Sequence, residues 1–144
     1  MKLPEYITIE EVKRVCRELK LRDWTELRDP VVPEAEAMIL LPLVNTGKLD
    51  IEIEEFRKGL EVELEHGTAF PDFNVTNNHP VLTAKVVMAH FMETLDYYRL
   101  LDVAEMEGDL LKALAAGNIE KAKAKHKKLS LAKVELGKSE AGRL

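Results

Sequence analysis

Cysteine is nearly absent from this 144-residue chain: Cys16 stands alone. No intrachain disulfide is available, so stability must come from packing, and a reducing, cytoplasmic setting is the expectation. Long apolar runs are missing as well. The longest, AMILLPLV at 37–44, falls far short of the about 20 residues a membrane helix needs. The opening residues, MKLPEYITIEE, turn polar at once and carry no signal-peptide pattern. There is no Gly-rich phosphate loop, no Ser/His/Asp order and no paired-cysteine zinc motif, which removes the commonest nucleotide-binding, hydrolase and zinc-finger readings. No internal repeat appears, and no stretch alternates with the two-residue period of a strand.

What the chain does have is charge. Charged residues make up 33% and apolar residues 46%, the profile of one soluble globular domain with a real core. The net charge of −5 is uneven: residues 1–117 carry 13 basic and 23 acidic side chains, residues 118–144 carry 8 and 3. This divides the chain into a helical domain over 1–117 and a basic C-terminal helix and tail over 118–144. Such a tail can fold back on the acidic body, reach a neighbouring subunit or meet an outside anion. Nucleic acid is disfavoured, because no aromatic residues interleave the lysines.

Helical punctuation recurs throughout. TIEE at 8–11 is a capping box with Thr8 as N-cap and Glu11 three residues on. Ile9, Val12, Val15, Cys16 and Leu19 follow at helical spacing and predict a helix over 9–20, with Cys16 an inert buried residue. Pro33 opens a short apolar helix that Pro42 is expected to kink or end. Its apolar surface must meet the core or another subunit, and residues 37–44 are the expected homodimer contact. A further helix is predicted over 50–66 and ended by Gly67. Another starts at Pro80, with a break near Leu95 and Asp96, and a Lys-rich helix follows Asn118 over 119–136. The fold class is all-α: a compact bundle of about five helices with an inserted short helix.

The densest chemistry lies in GLEVELEHG at 59–67. At about 100° per residue, Glu63 falls about 60° from Leu60 on the apolar stripe, and His66 lies one turn further along that flank. Glu61 and Glu65 fall on the opposite, more exposed side. Glu63-x-x-His66 has the spacing of di-iron carboxylate helices. The next long helix offers His90-x-x-Glu93 on a largely apolar face, where a carboxylate must be paired or metal-bound. Glu63, His66, His90 and Glu93 therefore form a candidate ligand set for zinc, iron or manganese. Tyr97 would be a hydrogen-bond donor behind the ligands. The alternative is structural: Glu63 in an ion pair, His66 at the negative end of its helix, and His90 a hydrogen-bonded core residue. His79 and His126 read as turn and surface residues.

EEFRKGLEVELEHG, followed by NVTNNHPVLTAKVVMAHFMETLDYYRLL, resembles an uncharacterised family of small prokaryotic and phage proteins known only as a domain of unknown function. The family pattern is V-E-x-E-H-G, then N-V-T-N, then A-H-x-x-E-x-x-D-Y-Y. The resemblance implicates Glu63, Glu65, His66, His90, Glu93, Asp96 and Tyr97, and implies no activity. His79 stands where the family usually has Asp, and Leu95 where it usually has Pro. Residues 23–48 and the basic tail look like additions to that pattern.

Overall fold

The computed structural model describes residues 4–143. Among them the fold is all-helical: α1 (Ile9–Leu19), α2 (Glu34–Val44), α3 (Ile53–Ala69), α4 (Pro80–Glu93), α5 (Tyr97–Ala115) and α6 (Ile119–Ala141), with short 3₁₀ turns at Trp24–Glu26 and Pro71–Phe73. The chain falls into two compact units, one ending at Met92 and one beginning at Glu93.

In the first unit the cap of α1 forms as expected on one side only. The Thr8 hydroxyl accepts the Glu11 N–H at 3.2 Å. The Glu11 carboxylate turns instead to Arg14, accepting from Nη2 at 2.6 Å and Nε at 2.8 Å. Val12, Val15 and Cys16 are buried on one face. Burial pushes the Cys16 thiol up from its ordinary pKa, which keeps it protonated and unreactive.

α2 does not end at Pro42 but runs through it to Val44. Proline removes an N–H that would have reached the Met38 carbonyl. Both residues face solvent, so that carbonyl can be hydrated and the helix continues. Ala37, Leu40 and Val44 are buried, while Met38 and Leu43 are exposed. Part of the apolar surface of α2 is therefore taken up within its own chain. Asn45 closes the following turn with both ends of its amide, donating to the Leu49 carbonyl and accepting its N–H, each at 2.9 Å.

α3 begins and ends later than its sequence suggested, at Ile53 and Ala69. Gly67 is therefore inside the helix and does not stop it. A Cβ at this position would lie 2.0 Å from Asn78 Oδ1 and 2.9 Å from Asn74 Nδ2. The residue is glycine because the 74–78 loop presses on the helix there, not because the backbone must turn. Phe56, Leu60 and Leu64 are buried along the stripe read from the sequence.

The second unit is an antiparallel helical hairpin. The break before it falls at 94–96 without a proline: Asp96 N–H donates to the Thr94 hydroxyl at 3.2 Å and Tyr97 N–H to the Thr94 carbonyl at 3.1 Å. Gly117 takes a left-handed φ of 66° in the turn, and Asn118 caps α6 by accepting the Lys121 N–H at 2.9 Å. α6 then continues past the expected end at 136 to Ala141. The basic helix folds back on α5: Lys125 pairs with Asp109 and Lys133 with Glu107.

Candidate functional site

Within the first unit, α3 and α4 bring Glu63 and His90 together. Glu63 Oε1 lies 3.4 Å from His90 Nε2, with side chains 16% and 25% exposed. His66, one turn along α3, is exposed in the last turn of the helix. It lines a cavity of about 140 Å³ together with Glu63, Thr83, Val86 and the Asn74–Asn78 side of the loop. Glu93 is exposed at the end of α4. Among the described residues no three His, Cys, Asp or Glu side chains converge as metal ligands would.

The other members of the motif have distinct partners. Glu61, expected on the exposed flank, reaches back to the segment before α2. Its Oε1 accepts the Val32 N–H at 3.0 Å and Arg57 Nη1 at 2.8 Å. Glu65 is exposed. Asp96 is buried in the second unit and accepts from Ser139 Oγ at 2.7 Å, Arg99 Nη1 at 3.1 Å and both terminal nitrogens of Arg143. Its carboxylate thus holds the end of α6 against the start of α5, with each oxygen hydrogen-bonded as burial requires. Tyr97 stacks edge-on against Tyr98, ring centroids 5.2 Å apart.

The asparagine-rich NVTNN stretch is a clamp. Asn78 is buried with a left-handed φ of 58°. Its Nδ2 donates to the Trp24 carbonyl at 3.3 Å, and its Oδ1 accepts Asn74 Nδ2 at 3.0 Å. Asn77, also left-handed, donates to Glu5 Oε1 and to the Ile7 carbonyl. Asparagine tolerates this backbone better than most residues and supplies both a donor and an acceptor. His79 then caps α4: its Nδ1 accepts the Leu82 N–H at 3.3 Å. Burial lowers the His79 pKa, with Glu11 pulling it up and Arg14 pushing it down. The imidazole is neutral at pH 7, the form that can accept at Nδ1.

A second buried carboxylate escaped sequence reading. Glu36 accepts Trp24 Nε1 at 3.0 Å, the Arg22 N–H at 2.7 Å and the Arg22 guanidinium through both oxygens. Burial pushes its pKa up, and the Arg22 and Trp24 hydrogen bonds more than offset that and hold it below the usual value. Nothing local in the E-A-E at the start of α2 encodes this role, because the partners of Glu36 lie 12 and 14 residues upstream.

No helix among the described residues is long and apolar enough to cross a membrane. No curated protein and no solved structure matches the chain. Residues 12–107 match the family described as "Protein of unknown function (DUF5661)". That span includes the Glu/His stretch, the asparagine clamp and the α4–α5 break, and the chain belongs to this family of unknown function.

Proposed function

We propose that this protein is a non-enzymatic helical interaction module whose Glu/His cluster serves its own fold. The observation that carries this reading is the pairing of Glu63 with His90 at 3.4 Å while, among the described residues, no third ligand-type side chain converges on them. A catalytic zinc site needs three protein ligands and a structural one needs four. Glu61, Asp96 and Asn78 support the same reading, since each ties a distant part of its own unit in place.

A second reading has one specific observation behind it. Glu63 and His66 line the same cavity, and the Glu63–His90 separation matches two neighbouring ligands on one ion. On that reading Glu63, His66, His90 and Glu93 take zinc, iron or manganese after a rearrangement that brings His66 and Glu93 inward. The exposed Met38 and Leu43 of α2 support a homodimer through residues 37–44, and the single buried cysteine supports a cytoplasmic setting.

The experiment is a thermal melt of EDTA-stripped protein titrated with zinc, ferrous iron or manganese. The interaction module gives a melting temperature that none of the three moves. A bound ion stabilises by about 4 kcal/mol at a thousandfold excess over Kd, so a saturable rise with stoichiometric uptake overturns the first reading in favour of the second.

A further inference from the structure

The fold uses only some of the polar groups around the cavity beside His66. Asn74 and Asn78 spend their side-chain amides on each other, on the Asn78 N–H and on the Trp24 carbonyl. Thr76 and Thr83 line the same cavity, yet neither hydroxyl makes a hydrogen bond among the described residues. Thr83 is only 7% exposed. On α3 the hydroxyl of Thr68 donates to the Leu64 carbonyl at 3.0 Å, the ordinary recourse of a helical threonine. Thr83 on α4 leaves that option unused. A hydroxyl buried this far normally has a partner, and the cavity is where one can come from. Three apolar side chains, Phe73, Val75 and Val86, line the cavity as well and are exposed to solvent. Apolar walls around a few placed polar groups are the anatomy of a small-ligand site. At about 140 Å³ the space is well below that of a drug-sized site, so its ligand is small.

We infer that this cavity binds a primary ammonium group carried on a short apolar arm. Charge on the wall itself selects the head. Glu63 is the one carboxylate among the lining residues, and no lysine or arginine joins it, so an anion finds no counter-charge there. An ammonium brings three donors and no acceptor, and the Glu63 carboxylate and the Thr76 and Thr83 hydroxyls are acceptors for them. His90 approaches Glu63 Oε1 at 3.4 Å, but a carboxylate accepts at about four lone-pair sites and serves a second donor without giving up the first. His66 completes the wall with a ring that can donate or accept. Phe73, Val75 and Val86 suit the arm, which a polyhydroxyl ligand lacks. The inference goes beyond the structural reading of the Glu63–His90 pair and needs no metal. The same head and arm occur in a free alkylamine and at the end of a lysine side chain.

The test is a titration of the nitrogen-15-labelled full chain with butylammonium, butanol and butyrate, followed by NMR amide shifts at constant ionic strength. EDTA in every sample keeps it apart from the metal reading. Butylammonium is expected to bind saturably, with a dissociation constant of about a millimolar for so small a ligand, and to shift amides of 63–67 and 73–86. Butanol should bind at least about tenfold more weakly, the worth of a charge-assisted hydrogen bond, and butyrate not at all. Glu63→Gln and Thr83→Val should each weaken butylammonium about tenfold, with circular dichroism confirming that helicity is kept; two positions keep the test alive if one variant misfolds. Glu65→Gln removes the same charge from an exposed position outside the cavity and should change nothing. Nα-acetyl-lysine methylamide separates the sources: binding equal to butylammonium makes the ligand a partner's lysine, and weaker binding makes it a free amine. No saturable shift with butylammonium, equal binding of butanol or butyrate, or equal losses in Glu65→Gln and Glu63→Gln overturns the inference and leaves a cavity that holds water alone.

Discussion

Asn78 Oδ1 lies 2.0 Å from where a Cβ on residue 67 would sit. That oxygen cannot simply swing away, because the same amide is tied to Asn74 and to the Trp24 carbonyl. Gly67→Ala is therefore expected to destabilise the protein by about 1–3 kcal/mol, the usual cost of overpacking, even though alanine favours a helix interior by about 1 kcal/mol. Gly108, in α5, has nothing within 4 Å of its added Cβ, so Gly108→Ala should stabilise by about 1 kcal/mol. Urea unfolding of the two variants checks the opposite signs.

His79 makes the fold sensitive to mild acid. Its folded pKa is depressed, so its contribution is fully present above the unfolded value of about 6.5 and is lost as pH falls through the lower folded value. Protonation places a hydrogen on Nδ1 and removes the acceptor for Leu82 N–H, a cap worth about 1 kcal/mol. His79→Asn keeps an acceptor without a titrating group. Denaturation midpoints at pH 7.5 and at pH 5 should converge in this variant relative to wild type; an unchanged pH dependence would remove His79 from the explanation.

Glu36 acts at lower pH. Its carboxyl is held below the ordinary value near 4.5, so the stability it brings is present above that value and is lost as acid protonates it in the folded state. Trp24, the sole tryptophan, reports the loss through its indole hydrogen bond to Glu36. Glu36→Ala leaves that buried N–H without an acceptor, which costs about 1–3 kcal/mol. Tryptophan fluorescence followed through urea unfolding of wild type and variant measures the difference.

Asp96 anchors the end of α6. Asp96→Asn weakens the charged contacts to Arg99 and Arg143, and an expected loss of about 1–3 kcal/mol follows from disturbing a hydrogen-bonded buried carboxylate. Hydrogen exchange should quicken in the last two turns of α6 and stay slow at the core helices of the first unit. Uniform quickening throughout would mean that Asp96 supports more than its own hairpin.

These residues also mark how far the sequence could be read. Helix starts were legible because caps are local: Thr8 and Asn118 bond N–H groups three residues on. The all-helical class was legible from the helical spacing of the apolar residues; the break falls near Asp96 as expected, but the Asp96 side chain makes no cap there and Thr94 accepts the turn's N–H groups instead. Gly67 was misread as a terminator because its constraint comes from Asn78, outside its own helix. Of the two outcomes expected at Pro42, a kink or an end, the end does not occur, because the solvent that tolerates proline there is a tertiary fact. At the site, helical spacing located Glu63 and His90 but could not tell an ion pair from a ligand pair. Glu61, Glu36 and Asp96 bond partners 29, 14 and 47 residues away, and no local pattern encodes such distances.

The most direct test of a structural Glu/His cluster is a double-mutant cycle on Glu63→Gln and His90→Gln, run once in EDTA and once in excess zinc. A partly buried pair predicts a coupling of about 1 kcal/mol that is the same in both buffers. A coupling that is absent in EDTA and rises to several kcal/mol with zinc would contradict it, and would make these two side chains ligands.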